Sequence, residues 1–271
     1  MKKKFAFFII IITVVSTLFV FGNNPKNTIA TSKKIYIYDS WKNDITSYKD
    51  DSILYQFAIY DFNNEIDIEK SNLIDLNLIN SNDNMSLTDF DLEYTGEENN
   101  IKFYTLSVYI TLDKLGIYNL NNIDISMELP NNNQYTFSLG NSIVNIINKN
   151  NDLDLVEGSA ILSKKTETDI YDVDYTIKNL TDKQVTLVDI KLNDQSGIEI
   201  IESNVSNLKI NPNEEKKINL KLKLDKNINN SLISFNLIYD IDKEKKEYAT
   251  SPVIIADPVP IERLHELIKS N

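Results

Sequence analysis

The chain contains no cysteine, and only one histidine, one tryptophan and one arginine among its 271 residues. Without cysteine it forms no disulfide, no thiolate zinc site and no iron–sulfur cluster, and it has no cysteine nucleophile. Its six glycines lie far apart in sequence, which excludes a glycine-rich phosphate-binding loop and, with it, adenine-nucleotide chemistry. The sequence therefore predicts no catalytic residue, no cofactor and no metal.

The single histidine, His265, lies near the C-terminus, and no G-x-S-x-G nucleophile elbow occurs. A hydrolase triad needs a histidine that is held by a third group beside a nucleophile. We interpret His265 as a surface or docking residue.

Carboxylates are plentiful, so a secreted hydrolase with a carboxylate pair stays open as an alternative. The lone tryptophan, Trp41, is expected to plug the core at a strand end rather than to bind a sugar.

The acidic side chains outnumber the basic ones and give a formal net charge of -12. Such a protein is a poor match for a polyanion, so we expect no nucleic-acid partner. Lysine outnumbers arginine 27 to 1, and Asn and Ile are abundant. This composition is typical of an AT-rich genome and, with the missing cysteines, suggests a Gram-positive type of bacterium.

Residues 1–22 have the pattern of a secretory leader. Three lysines, Lys2 to Lys4, precede 17 uncharged and nearly all apolar residues from Phe5 to Phe21. As a helix this run would span roughly 26 Å, just short of the ~30 Å hydrocarbon core of a bilayer. A cleaved signal peptide and a retained membrane anchor therefore both stay open. The lysines orient the rest of the chain outward, so we expect an exported protein, secreted or anchored to the outer face of the cytoplasmic membrane.

After a linker at 23–32, apolar residues recur at every second position. This period predicts strands with one buried and one wet face, as in antiparallel sheets. Turn-rich breaks separate the runs at short intervals. We predict a β-sandwich domain at 33–150, with two inward rows: Leu106, Val108, Ile110 and Leu112, and Ile123, Ile125, Met127 and Leu129.

The same pattern restarts and gives about seven strands over 151–256, the size of an immunoglobulin-like sandwich. In "KKINLKLKL" the apolar side chains of Ile218, Leu220, Leu222 and Leu224 are expected to face inward, with Lys217, Lys221 and Lys223 in water. Lysines on a strand also discourage pairing between molecules. The stretch "YTIKNLTDKQVTLVDIKLN" at 175–193 predicts a hairpin with a framework role, in which two paired strands bury Tyr175, Ile177, Val185 and Leu187.

Two segments of the second half, "VDYTIKNLTDKQVTLVDIKL" and "LKINPNEEKKINLKLKL", carry a family resemblance. The region 166–256 resembles the immunoglobulin-like modules of bacterial surface proteins, of the cell-adhesion-related type. Such modules show a strand ending in Asn and, later, a Leu-x-Pro-Gly-Glu-like turn. Here Asn213 stands in the glycine position after Pro212. The predicted fold is all-β: two consecutive immunoglobulin-like β-sandwich domains after an N-terminal hydrophobic helix.

The last segment, 257–271, begins with a Pro-rich turn and ends in a predicted short amphipathic helix. Its apolar residues, Ile261, Leu264, Leu267 and Ile268, have helical spacing. A helix this short is marginal alone. It either docks onto its own second domain or serves as a handle for a partner.

One segment partly resembles an EF-hand calcium-binding loop. Asn80, Asn82 and Asn84 alternate, and Asp91 follows, but Met85 replaces the turn glycine and Asp91 the final Glu. In a chain this rich in Asn we attribute the pattern to chance. The glycosylation sequons at Asn84, Asn179 and Asn204 carry little meaning in a bacterial protein.

The functional prediction is a non-enzymatic surface protein that binds another surface or membrane protein through loops or strand edges, or that acts as its accessory module. The membrane itself is a partner through residues 5–21 if the leader is retained. The alternative is a carbohydrate- or cell-wall-binding module with a tyrosine-rich strand face, for which the 14 tyrosines are the hint.

Overall fold

The computed structural model describes residues 35–38, 41–67, 69–70, 74–158, 161–163, 169–193, 197–225, 228 and 230–256. The predicted leader, the linker at 23–32 and the predicted C-terminal helix with His265 lie outside these residues. Within them, no helix has the length and apolar character that crossing a bilayer requires.

Strands and turns make up nearly all of the described structure, which confirms the all-β class. The 21 strands are β1 Ile35–Tyr38, β2 Lys42–Tyr48, β3 Ile53–Asp61, β4 Asp75–Ile79, β5 Met85–Glu98, β6 Ile101–Leu112, β7 Gly116–Asn119, β8 Asp124–Glu128, β9 Gln134–Ser138, β10 Asn141–Ile147, β11 Leu153–Gly158, β12 Ile161–Ser163, β13 Ile170–Asn179, β14 Val185–Lys191, β15 Ile198–Ser203, β16 Leu208–Ile210, β17 Glu215–Leu224, β18 Asn230–Ile233, β19 Asn236–Ile241, β20 Glu244–Ala249 and β21 Val253–Ala256.

The first core lies between the sheet β1-β3-β6-β5 and two facing sheets. One facing sheet is β4-β8-β9, and the other contains β2 and β10. Phe57 of β3 meets Phe137 of β9 edge to face across this core, with ring centroids 4.9 Å apart. Both predicted inward rows, on β6 and around β8, are buried here, because a period-two pattern places one face of each strand against the core.

The second core lies between the sheets β11-β13-β17-β15 and β16-β14-β19-β20. The four predicted apolar residues of β17 point into it and are buried. On the wet face of the same strand, the Lys217 ammonium lies 2.9 Å from the Asp174 carboxylate and Lys221 pairs with Glu202. Lys217 and Lys221 are therefore paired with neighbouring acids and do not form a surface of uncompensated positive charge.

A six-stranded sheet, β12-β21-β18-β2-β10-β7, joins the two halves. Its strands β2, β7 and β10 come from the first half, and β12, β18 and β21 come from the second. The junction is parallel: β18 runs alongside β2, with Ile233 opposite Asp44. The division of the chain into domains at 33–150 and 151–256 stays a prediction, and strands from both sides of that boundary share this sheet.

The predicted hairpin at 175–193 is wrong. Tyr175, Ile177, Val185 and Leu187 are all buried as expected, but β13 pairs with β11 and β17, whereas β14 pairs with β16 and β19. The two strands therefore belong to opposite sheets and face each other across the core. The alternation of apolar and polar residues specifies which face of a strand is buried. A paired hairpin and an arch between two sheets show the same alternation, so the pattern does not distinguish them.

Candidate interaction edge

Strand β7 is an edge of the six-stranded sheet, and no other strand of the described residues pairs with its far side. It starts at Gly116, whose φ of +136° is rare for residues with a side chain. The side chain of Ile117 is 72% exposed and that of Leu115, just before the strand, is 49% exposed. An edge strand also presents unpaired N–H and C=O groups, which another chain can pair with.

The register with β10 shows which main-chain groups of β7 face outward. Tyr118 lies opposite Val144 in an antiparallel pair, and the Leu120 amide donates to the Ser142 carbonyl at 2.8 Å. Hydrogen-bonded and non-hydrogen-bonded pairs alternate along such a ladder. The N–H and C=O groups of Ile117 and Asn119 therefore point away from β10, toward the open side.

Three other edge strands also expose one apolar side chain each, but they are protected. Tyr94, Val156 and Ile201 lie on β5, β11 and β15. Each of these strands contains a β-bulge and at least two acidic residues, and both features discourage edge-to-edge pairing. Strand β7 has a continuous register, and no charged residue occurs between Lys114 and Asp124.

The two faces of β7 have different surroundings. Tyr118 points to the first core, and its hydroxyl donates to the Lys114 carbonyl at 2.8 Å, which fixes the start of the strand. Ile117 points to the opposite face beside its cross-strand partner Asn145. Side chains alternate along β10, so the half-buried Ile143 shares that outer face. The open main-chain groups are thus flanked by a small apolar surface.

A second feature is an aromatic patch of five rings on β1, β3 and β6 and just after β3, in which Tyr60 is buried and the other rings are half-buried: Tyr36, Tyr38, Phe62 and Phe103. It lies apart from both cores. The Tyr60 ring centroid is 6.1 Å from that of Tyr36 and 5.7 Å from that of Phe103. Burial, with a smaller contribution from the neighbouring tyrosines, raises the pKa of Tyr60, so its hydroxyl stays neutral.

A pair of acids lines a shallow cleft in the first half. Asp75 of β4 lies opposite Glu128 of β8, and the cleft, with a volume of about 340 Å³, is completed by Leu129, Pro130 and Asn132. Both carboxylates are exposed, whereas the general acid of a glycosidase is kept in an apolar pocket. The two acids are cross-strand neighbours in an open cleft, and they lack the apolar pocket that raises the pKa of a general acid.

The residues of the calcium-like segment are not brought together. The Asn82 side chain accepts a hydrogen bond from the Asn84 amide at 3.0 Å within the turn before β5, and Asp91 lies inside that strand. In the described part of the chain, no three acidic or histidine side chains are arranged to hold a metal. Trp41 is half-buried against the first core, as predicted for a core plug.

Asn179 and Asn213, the two asparagines of the family resemblance, have a structural role. Asn179 is buried at the end of β13, and its amide donates to the carbonyls of Lys183 at 2.7 Å and Ile210 at 3.0 Å. The backbone carbonyl of Asn179 accepts a hydrogen bond from the backbone N–H of Asn213. Asn213 has a φ of +61°, the left-handed conformation that a glycine would adopt there. Asn179 therefore joins the two turns, and its sequon is inaccessible.

Comparison with known proteins identifies no relative that assigns a function. No family model matches the chain, and no curated protein matches its sequence. Among solved structures, a protein of unknown function from Porphyromonas gingivalis W83 has a TM-score of 0.27 at 9% identity, covering 83% of this chain and 100% of that one.

Two further solved structures have similarly low TM-scores. A Corynebacterium diphtheriae protein described as membrane-anchored has a TM-score of 0.29 at 12% identity, over 83% of this chain and 58% of that one. The VesB protease of Vibrio cholerae has a TM-score of 0.29 at 12% identity over 39% of this chain, which spans 32% of the protease. Scores this low carry no argument about activity.

Proposed function

We propose that this chain is a non-enzymatic protein-interaction or accessory module on the outside of a bacterial cell. It is secreted, or held at the outer face of the cytoplasmic membrane by residues 5–21. The observation that carries the proposal is the open edge β7, with its exposed Ile117 and absence of charge. The partner is another surface or membrane protein that covers this edge.

The strand order of the second half supports its assignment as an immunoglobulin-like sandwich. With β11, β13, β14, β15, β17, β19 and β20 as strands A to G, its sheets have the orders A-B-E-D and C-F-G, as in a constant-type immunoglobulin sandwich. Strand β16 is an addition beside strand C. This half carries the sandwich, while the exposed edge lies in the first half.

Site-specific photo-crosslinking on intact cells of the producing bacterium tests the proposal. A photoreactive residue replaces Ile117 in the full chain, and the control replaces Ile201, an exposed apolar residue on the protected edge β15. We expect position 117 to capture one defined surface or membrane protein and position 201 to capture none. Equal capture from both positions, or no capture from 117, would overturn the proposed interaction edge.

The aromatic patch favours a second candidate function, the binding of cell-wall glycan. The half-buried rings of this patch lie outside both cores, and the exposed part of an aromatic ring offers apolar area on which a sugar ring can pack. The remaining tyrosines weaken this candidate, because Tyr55, Tyr104, Tyr171, Tyr175 and others are buried in the two cores.

Sedimentation with purified cell wall distinguishes the candidates. The glycan function predicts that the full chain sediments with the wall and that Tyr38→Ala with Phe103→Ala releases it, while Tyr109→Ala, on another part of the same sheet, has no effect. A chain that stays in the supernatant would exclude the glycan function.

A further inference from the structure

We infer that the partner binds β7 by adding an antiparallel strand to the six-stranded sheet through main-chain hydrogen bonds at Ile117 and Asn119. The inference rests on the proposed function, and it names the mode of contact and the chemistry of the partner segment. The partner contributes an extended stretch that is uncharged in its centre, apolar at alternate positions and basic at its ends.

The main chain of β7 supplies the geometry for this addition. Ile117 and Asn119 both direct an N–H and a C=O outward, and in an antiparallel ladder each such residue exchanges two hydrogen bonds with the residue opposite. Four bonds can therefore form without any change in the pairing of β7 with β10. Strand addition of this kind obtains affinity from the main chain and specificity from alternate side chains.

The side chains around β7 define which segment fits. Ile117, with Leu115 and the half-buried Ile143 nearby, offers apolar contact on the outer face of the sheet. The uncharged stretch ends at Lys114 on one side and Asp124 on the other, with Asp113 just beyond Lys114. Together with the net charge of -12, these ends favour a partner segment that carries lysine or arginine outside its apolar centre.

A second copy of this chain is a poorer occupant of the edge. Two copies carry the same strong negative charge and repel each other. We therefore assign the edge to a different polypeptide and expect the purified chain to be monomeric.

A matched pair of substitutions at Asn119 tests the main-chain bonds. Asn119→Ala and Asn119→Pro both remove the side-chain oxygen that accepts from the Asn121 amide, but only Pro also removes the outward N–H. The Pro substitution removes no bond to β10, and Pro is tolerated on an edge strand when its nitrogen faces solvent. Both variants carry the photoreactive residue at Leu115, and circular dichroism verifies that each one is folded.

The inference predicts that Asn119→Ala keeps capture on intact cells within about twofold, whereas Asn119→Pro lowers it about tenfold or more. Hydrogen exchange gives a second readout that needs no substitution. In the complex with the captured protein, the Ile117 and Asn119 amides become protected, while the Tyr118 amide, already bonded to β10, does not change.

Three outcomes decide between the possibilities. Equal capture by the Ala and Pro variants, with unprotected Ile117 and Asn119 amides, overturns strand addition and leaves the proposed function standing as a side-chain contact. No capture by the unsubstituted chain overturns the proposed function itself. A concentration-dependent dimer that Asn119→Pro abolishes, detected by sedimentation velocity, assigns the edge to a second copy and overturns the proposed partner.

Discussion

Asn193 donates two hydrogen bonds to the same carboxylate oxygen of Asp44, which lies 149 residues earlier in the chain. The backbone N–H donates at 3.0 Å and the side-chain amide at 2.9 Å. Asp44 is fully buried in β2, and its backbone carbonyl accepts from the Ser234 amide beside β18. The second half of the chain therefore donates two hydrogen bonds to a buried acid of the first half.

Removing the Asn193 side chain is expected to destabilise the whole protein. In Asn193→Ala the buried Asp44 carboxyl group loses one of its donors, and removing one partner of a buried polar group costs about 1–3 kcal/mol. Urea denaturation should show this loss in the free energy of unfolding. Asn77→Ala, which removes an exposed amide, is the control and should stay within about 0.5 kcal/mol. An equally small effect at Asn193 would contradict a structural role for the Asp44 contact.

The shared sheet predicts that the two halves unfold together. Trp41, the sole tryptophan, reports on the first half by fluorescence. Leu222→Ala creates a cavity in the second core and should cost about 2–5 kcal/mol. We expect the Trp41 fluorescence midpoint in urea to fall together with the circular dichroism midpoint, while Lys223→Ala, on the wet face of the same strand, leaves both in place. Two separate transitions, with Trp41 unaffected, would show that the halves unfold independently.

Gly140 is expected to tolerate no side chain. Its φ is +79°, and a Cβ atom there would lie 2.5 Å from the Trp41 carbonyl oxygen. Left-handed strain and overpacking together predict that Gly140→Ala costs about 3 kcal/mol, measured by thermal or urea unfolding. Gly116→Ala has strained backbone but no atom within 4 Å of the added Cβ, so it should cost less. An equal loss in the two variants would contradict the close approach to Trp41.

The ion pair between Asp152 and Lys246 predicts a pH-dependent contribution to stability. Partial burial acts to raise the pKa of Asp152, but hydrogen bonds from Lys246 at 2.8 Å and Tyr239 at 2.9 Å outweigh it and hold the pKa below its ordinary 3.8. A carboxyl with a depressed pKa in the folded state contributes stability above its unfolded pKa. That contribution is lost as the pH falls through the folded pKa.

The Lys246→Met variant measures this contribution. The pair is partly exposed, so its loss should cost about 0.5–1 kcal/mol at pH 7. The difference from the unsubstituted protein should persist to pH 5 and shrink below pH 3.8. Lys245→Met removes the same charge from a neighbouring exposed position of β20 and serves as the control. Urea midpoints across this pH range provide the measurement, and a difference independent of pH would contradict the ion pair.

The alternation of apolar residues predicted the inward rows of β6, β8 and β17, but it did not indicate strands β2 and β10. The residues of β2, "KNDITSY", are mostly polar, yet four of them, Asn43 to Thr46, are buried. Hydrogen bonds to distant residues hold this polar strand: the Asn43 side-chain amide donates to the Ser142 hydroxyl, and the Thr46 backbone exchanges two bonds with the Ser234 hydroxyl. Those partners come from distant segments, so no local pattern indicated a strand. The candidate edge β7 was missed because four residues hold too few alternations to recognise.

The sequence by itself determined the all-β class and the buried face of most strands, because alternation of side chains is a local property of an extended backbone. Only the tertiary structure decided which strands pair. It separated β13 and β14 into opposite sheets, placed β18 beside β2, and left β7 with its outward groups open. Hydrogen bonds between strands join residues far apart in the chain, and the same alternating pattern fits many such pairings.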